Sequence, residues 1–186
     1  MSEKFRNKYR IESNRLRGWD YGWNAPYFIT LCTQNREYYF GDIKDGKMKL
    51  SEIGKMAEKY WDEIPEHFPF VKLDAFVVMP NHIHGIIIID KIDDGRNVET
   101  QNFASLQSST SSPSKNKFGP QSKNLASIIR GYKIGVTKNA RQINAGFAWQ
   151  SRFHDHIIRN EKSFQTIKNY IINNPLKWDT DKLKDE

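Results

Sequence analysis

The sequence has a single cysteine, Cys32, which excludes a disulfide framework and a cysteine zinc cluster. It also lacks an apolar run of the roughly 18 residues that a membrane-spanning helix needs, and its first residues lack the apolar stretch of a signal peptide. These absences predict a cytoplasmic protein that does not enter a membrane. The mean hydropathy of -0.74 indicates that part of the chain lies outside a packed core.

Positive charge exceeds negative charge, with a net charge of +7 and a pI of about 9.4. A basic surface attracts polyanions, of which nucleic acid is the commonest, although lipid headgroups or simple solubility explain the same charge equally well. The length of 186 residues allows one domain with a substantial core.

Composition divides the chain into a domain with two short ends. Residues 1–18 form a basic arm with six basic and two acidic side chains, and residues 179–186 form a short tail. Between them, residues 19–178 are predicted to form a single domain. Residues 91–122 interrupt this domain with a stretch rich in Ser, Asn, Gln, Gly and Pro, which predicts a flexible insertion.

Local patterns predict the order of strands and helices. Asp45-Gly46 is typical of a type I′ hairpin turn, Ser51 of a helix N-cap, and Pro80-Asn81 of a short connection between two antiparallel strands. This order predicts an α+β fold: an antiparallel sheet of four to five strands with helices packed on one face and the other face open to a ligand. The main predicted strands cover 26–33, 71–79, 82–90 and 147–158, and the predicted helices cover 51–67, 123–143 and 161–174.

His82 and His84 lie two residues apart at the start of an apolar strand. Because side chains alternate faces along a strand, both imidazoles project to the same side, an arrangement that suits a divalent metal ion. Two histidines do not complete a site, so a further ligand must come from elsewhere. Hydrogen-bonded core histidines remain the alternative interpretation, and His154 and His156 form a rival pair with the same spacing.

Tyr170 and Asn174 lie four residues apart on the last predicted helix and therefore share one face of it. The neighbouring apolar stripe of Phe164, Ile167 and Ile171 is expected to pack on the sheet, which would bring the phenol and the amide to the sheet rim. Hard divalent ions accept amide oxygen. Taken singly, each residue is also typical of an ordinary helix border and helix end.

Several stretches, in this order along the chain, resemble the single-tyrosine HUH transposases, above all the REP-associated tyrosine transposases and their insertion-sequence relatives. The resemblance covers most of 15–178. The central stretch is 77–84 (Val-Val-Met-Pro-Asn-His-Ile-His), preceded by 27–30 and 34–36 and followed by 149–153, 156–160 and 169–175.

The resemblance implies a ferredoxin-like sheet and a metal-dependent endonuclease and strand transferase that acts on single-stranded DNA, often beside a hairpin. It implies His82, His84 and Asn174 as ligands of a divalent metal, Mg or Mn. It implies Tyr170 as the nucleophile that forms a 5′-phosphotyrosine intermediate during DNA transposition or mobilisation of repeat elements. Family members occur as homodimers and as monomers, so the oligomeric state stays open.

Basic residues predict where DNA is held. Arg130, Lys133, Lys138 and Arg141 share one side of the 123–143 helix and are expected to contact phosphates, unless they form only a solvated helix face. The further candidates for phosphates are Arg152 and Arg159, unless they merely flank a strand. Trp19, Tyr21, Trp23 and Trp149 are candidates for stacking on bases, and packing is the alternative role for the tryptophans near 19–23.

Two other functions are compatible with the same residues. The first alternative is a non-catalytic module that binds single-stranded nucleic acid on the same fold. The second is a metal phosphoesterase for small nucleotides, which would not require Tyr170. A covalent DNA adduct, a native complex alone, or cleavage independent of Tyr170 would distinguish the three.

Overall fold

The computed structural model describes residues 15–16, 18–91 and 122–184. Most of the predicted basic arm and residues 92–121 of the predicted insertion lie outside the described residues. The elements, in chain order, are β1 (Ala25–Cys32), a 3-10 turn (Gln34–Arg36), β2 (Gly41–Lys44), β3 (Lys47–Leu50), α1 (Glu52–Asp62), α2 (Ile64–His67), β4 (Val71–Val78), β5 (His82–Ile89), α3 (Leu125–Ile143), β6 (His154–Ile157), α4 (Glu161–Ile172) and a final 3-10 helix (Pro175–Thr180).

A four-stranded antiparallel sheet in the order β4-β5-β1-β6 organises the fold, and β2-β3 forms a separate hairpin. The central strand β5 pairs with β4 across the Pro80-Asn81 turn and with β1 on its other side. Burial on both faces explains its continuous isoleucine run. The predicted α+β class with an antiparallel sheet of four strands is confirmed.

One face of the sheet carries the main core. Ile83 and Ile87 of β5 lie in one buried cluster with Trp61 of α1 and Tyr132 of α3. The Trp61 ring stacks on Phe76 with a centroid distance of 4.4 Å. The Tyr132 hydroxyl donates a hydrogen bond to the Ala57 carbonyl at 2.9 Å, which ties α3 to α1. Helices α1 and α3 therefore form the layer that covers this face.

The opposite face is partly covered by α4, whereas the sequence led us to expect it to be open. Ile171 of α4 forms a second buried cluster with Ile86 of β5 and Ile158, and Phe164 and Ile167 pack against them. An apolar helical stripe has to be buried somewhere, and the first face is already occupied by α1 and α3. The two histidines lie on this second face, beyond Ile86.

Local chemistry explains several boundaries. Asp45 and Gly46 both have positive φ, +53° and +68°, as a type I′ turn requires, and the Ser51 side chain accepts a hydrogen bond from the Gly54 amide at 3.0 Å. The predicted 51–67 helix breaks into two because Pro65 has no amide hydrogen to donate. None of the helices among the described residues combines the length and apolar character needed to cross a membrane.

Replacing Gly85 with alanine should destabilise the fold by about 1–3 kcal/mol, because a Cβ at this position would overlap the buried Trp61 ring. Urea denaturation followed by circular dichroism measures the effect. Gly131→Ala in α3 is the matched control, since its Cβ would meet Phe68 at an ordinary 3.5 Å and helix propensity would favour alanine by up to about 1 kcal/mol. Equal stability of the Gly85 variant and the wild type would contradict the packing described here.

Candidate active site

His82 and His84 project from the start of β5 to the same side of the sheet. Their ring centroids are 4.6 Å apart, and the two residues are 0% and 2% exposed. Since imidazoles at these positions are removed from water, each polar ring nitrogen needs a partner. The partners determine what the pair can bind.

The Nδ1 atom of His82 is held by a neighbouring amide. It lies 2.7 Å from Oδ1 of Asn81, and the Asn81 amide nitrogen donates to the Leu183 carbonyl at 2.7 Å. Asn81 therefore offers its oxygen to His82, and the proton of the neutral ring resides on Nδ1. The Nε2 atom of His82 is then left with a lone pair, and it is buried without a hydrogen-bond partner. This is the arrangement of a metal-binding histidine oriented from its other nitrogen.

His84 is oriented in the same way by β1. Its Nδ1 atom lies 2.9 Å from the Thr30 hydroxyl, and Thr30 is its register partner in the sheet. The Nε2 atom lies 3.2 Å from the Tyr170 hydroxyl. In the tautomer with the proton on Nδ1, Nε2 accepts a hydrogen bond from the phenol and is chemically able to bind a cation instead.

The structure adds a carboxylate that sequence reasoning missed. Asp181 follows the final 3-10 helix, and its Oδ2 atom lies 4.0 Å from Nε2 of His82 with the Asp181 side chain 6% exposed. One ligand atom from each of His82, His84 and Asp181 lies within 4.8 Å of the others, and this is the only such group of His, Cys, Asp or Glu among the described residues. Asp181 carries no local sequence signal, because its partners lie about a hundred positions earlier.

Helix α4 brings Tyr170 to the histidines, so the structure places these predicted residues together. Tyr170 is 42% exposed, and its ring lies edge-on to Phe28 with a centroid distance of 6.1 Å. Asn174, one turn further on, is 1% exposed, and its Oδ1 atom is buried without a hydrogen-bond partner. An unpaired buried amide oxygen is a suitable ligand for a hard cation.

Burial sets the protonation of the site. Burial, with His154 adding to it, lowers the pKa of His84 to about 3, and burial, followed by His84 and Arg36, lowers the pKa of His82 well below its ordinary value. Both rings are thus neutral at pH 7, which is the state that binds metal. Burial also raises the pKa of the Tyr170 phenol, the charge of Asp181 raises it further, and a hydrogen bond with Asn174 opposes the rise.

The predicted basic residues of α3 line a groove of about 780 Å³ between this helix and the loop before β6. We call it the basic groove. Two of its four cations are engaged within the protein: Lys133 donates to the Gln150 carbonyl at 2.6 Å, and the Arg141 Nε donates to the Phe147 carbonyl at 3.0 Å. Burial lowers the pKa of Lys133 to about 8. The basic groove is also lined by Arg130, Lys138, Trp149 and Phe153.

The remaining candidates line neither the basic groove nor the His82–His84–Asp181 group, although His154 lies close enough to His84 to contribute to its lowered pKa. His154 and His156 are exposed on β6, and Arg152 and Arg159 are exposed on either side of it. Of the proposed stacking aromatics, Tyr21 is only 8% exposed and belongs to the core. The Trp19 indole donates to the Tyr27 hydroxyl at 3.1 Å, whereas Trp23 is 42% exposed.

No protein-family model matches the chain, but individual proteins do. An uncharacterized protein of Haemophilus influenzae is 41% identical over 173 residues, covering 92% of this chain and 91% of that protein. The two chains belong to one family. A second Haemophilus influenzae protein, named as a candidate REP-associated tyrosine transposase, is 26% identical over 158 residues, covering 85% of this chain and 74% of that protein.

The fold comparison agrees with the sequence comparison. The structure of a REP-associated tyrosine transposase bound to a REP hairpin matches with a TM-score of 0.55 and 20% identity, covering 90% of this chain and 74% of that chain. This chain is thus similar to REP-associated tyrosine transposases in sequence and in fold. The resemblance noted in the sequence is thereby confirmed, and the shared α+β fold extends over nearly the whole chain.

Acid should destabilise the metal-free protein through the buried histidines. Unfolded histidine has a pKa near ~6.5, whereas the pKa of folded His84 is about 3, so the unfolded state binds more protons within this window. The contribution of each such histidine to the free energy of unfolding is therefore fully present above pH ~6.5. Below that pH, the free energy of unfolding falls by about 1.4 kcal/mol per pH unit for each such histidine.

Urea denaturation in EDTA at pH 7, 6 and 5 tests this expectation. The His84→Gln variant should show a shallower fall of unfolding free energy with pH, while His67→Gln, at an exposed position on α2, should retain the wild-type slope. The interpretation fails if the His84 variant and the wild type show equal slopes.

Proposed function

We propose that this protein is a metal-dependent single-strand DNA endonuclease and strand transferase, a transposase that acts in DNA transposition or in the mobilisation of repeat elements. The observation that carries the proposal is the approach of the Tyr170 hydroxyl to within 3.2 Å of the His84 Nε2 atom. A phenol, the proposed nucleophile, thereby lies beside two imidazoles, the proposed metal ligands. The similarity to a REP-associated tyrosine transposase supports the same proposed function.

His82, His84 and Asn174 are the proposed ligands of a divalent ion, Mg or Mn. The support is chemical: the His82 Nε2 and Asn174 Oδ1 atoms are buried without hydrogen-bond partners, and such atoms carry a cost that a bound cation would remove. When bound, such an ion polarises a phosphate oxygen and orients the phosphodiester for in-line attack. Asn81 and Thr30 each contact the Nδ1 atom of one ring and so orient both rings, with Nε2 left for the ion.

In this proposal Tyr170 is the nucleophile that attacks a backbone phosphate of single-stranded DNA. A bond forms between its phenolic oxygen and phosphorus while the bond from phosphorus to the 3′ oxygen breaks. The phenolic proton passes to solvent, and the leaving oxygen takes up a proton from water, which yields a 5′-phosphotyrosine and a free 3′-hydroxyl. The ester conserves bond energy, so a 3′-hydroxyl can reverse the step and rejoin strands without ATP.

Access and protonation are consistent with this role. Tyr170 is 42% exposed, so a DNA strand can reach its hydroxyl. The pKa of the phenol is raised by burial and by Asp181, and a nearby divalent cation would oppose that effect by favouring phenolate. We assign no described side chain as general base, since the lowered pKa of His84, about 3, makes its ring a poor proton acceptor.

Single-stranded DNA carrying a hairpin is the proposed substrate, because the solved relative is bound to a REP hairpin. Arg130 and Lys138, both exposed, are the proposed phosphate contacts of the basic groove, with Arg152 and Arg159 as further contacts. Lys133 and Arg141 are also proposed phosphate contacts, and in addition they hydrogen-bond to the loop before β6. Tyr170 and the histidines belong to the same chain, so a monomer contains the site and a homodimer would contain two.

Tyr170→Phe should abolish the covalent adduct with single-stranded DNA, because it removes the attacking oxygen while preserving the ring. Incubation of the protein with labelled hairpin oligonucleotide and Mn²⁺, followed by denaturing electrophoresis, measures the adduct. Tyr60→Phe, on α1, is the matched control and should form adduct at the wild-type level. An adduct that persists in the Tyr170 variant would refute the assignment, and a native complex without any adduct would favour the non-catalytic binding module.

Replacing both Arg130 and Lys138 with glutamine should weaken DNA binding and lower the slope of log affinity against log salt by roughly 0.7–0.9 for each lost phosphate contact. Fluorescence anisotropy at several salt concentrations measures both quantities. Replacing both Lys49 and Lys55 with glutamine, at exposed positions of β3 and α1, is the control with the same loss of two positive charges. An unchanged salt slope in the double variant would place the DNA elsewhere.

A further inference from the structure

We propose that Asp181 is a ligand of the metal ion, so that the C-terminal segment (residues 175–184) completes the active site. This inference rests on the proposed metal-dependent function and adds a charged ligand to it. Neither the pairing of the two histidines nor the resemblance of the sequence points to this residue. The inference is supported by the contacts of the Asp181 carboxylate, of the C-terminal segment, and of the His82 ring.

Distances place the carboxylate where a shared ion would lie. The Asp181 Oδ2 atom is 4.0 Å from the His82 Nε2 atom, too far for a hydrogen bond. Two ligands on one ion with bonds of about 2.1 Å are separated by about 3.0 Å in cis and about 4.2 Å in trans. The three ligand atoms lie within 4.8 Å of one another, so the side chains would have to draw together by about 1 Å to share one ion.

The C-terminal segment is anchored to the residues that orient His82. The Leu183 carbonyl accepts a hydrogen bond from Asn81 at 2.7 Å, and the Leu183 amide donates to Oδ1 of Asp181 at 2.7 Å. Trp178 is 7% exposed and lies against the His82 ring with a centroid distance of 6.1 Å. One carboxylate oxygen is thus fixed by the backbone, while the other is presented to the imidazole.

Charge supports the same assignment. The Asp181 side chain is 6% exposed, and its Oδ2 atom faces the His82 imidazole. A nearly buried carboxylate is electrostatically costly unless a cation or hydrogen-bond donors compensate its charge. A divalent ion would compensate that charge and would also satisfy the unpaired His82 Nε2 atom.

The donor set predicts which metal binds more tightly. Mg²⁺ prefers oxygen ligands, whereas two imidazoles with one carboxylate suit Mn²⁺ and later transition metals. We therefore expect Mn²⁺ to bind more tightly than Mg²⁺, with Asn174 and the DNA phosphate available as further oxygen ligands. The test consequently uses Mn²⁺ alone, without DNA.

Isothermal titration of Mn²⁺ into the metal-free full chain decides the question. Asp181→Asn should weaken Mn²⁺ binding about tenfold or more, whereas Asp179→Asn, at an exposed carboxylate two residues earlier that pairs with Lys184, should leave it unchanged. Equal affinity of Asp181→Asn and the wild type would overturn the inference, as would a wild type that binds no Mn²⁺.

A second variant keeps the inference testable if Asp181→Asn folds poorly. Asp181→Cys would place a thiolate against the histidines, so Co²⁺ should produce a thiolate-to-cobalt charge-transfer absorption that the wild type and Asp179→Cys lack. Absence of this band in folded Asp181→Cys would contradict the inference. Mn²⁺ binding that depends on Asp181, without any DNA adduct, would support the ligand and reject the proposed reaction, so the two failures remain distinguishable.

Discussion

The site depends on the register with which β5 pairs with β1. Because side chains alternate, this register directs Ile83 and Ile87 into the main core and His82 and His84 to the opposite face. A slip of one residue would exchange the two sets and bury both imidazoles among isoleucines. The isoleucine run specifies the register, since both faces of β5 are covered and a shift would also displace Gly85 from the Trp61 ring that occupies the space above it.

The same register keeps both histidines neutral, but their burial costs the hydration of their ring nitrogens. Buried imidazoles lose hydration, and the fold compensates for one nitrogen of each ring through Asn81 and Thr30. The second nitrogen of His82 has no such compensation. Structures retain an uncompensated polar group of this kind mainly where a ligand satisfies it, so the orphaned nitrogen is better explained by chemistry at the site than by stability of the fold.

Features that depend on residues nearby in the sequence could be predicted, whereas features that depend on long-range contacts could not. The Asp45-Gly46 turn and the Ser51 cap depend on neighbours within a few positions, and the structure agrees with both. The predicted 161–174 helix instead ends at Ile172, so Asn174 lies beyond α4, at the start of the final 3-10 helix. The packing of α4 on the second face depends on which face α1 and α3 already occupy. Asp181 depends on a contact across about a hundred positions, which no periodicity encodes.

The two regions assigned to DNA lie in different layers of the molecule. The basic groove belongs to α3, which covers the face of the main core, whereas Tyr170 belongs to α4 on the other face. Because the loop before the edge strand β6 lines the groove, a single DNA strand that contacted both regions would take its shortest path around this edge of the sheet. Arg152 and Arg159 are exposed on either side of that strand. There they could contact the phosphates of a strand that passes the edge, although they lie outside the basic groove. The proposed function therefore requires DNA that is flexible at this edge, since a rigid duplex could not bend from the groove around β6 to the phenol.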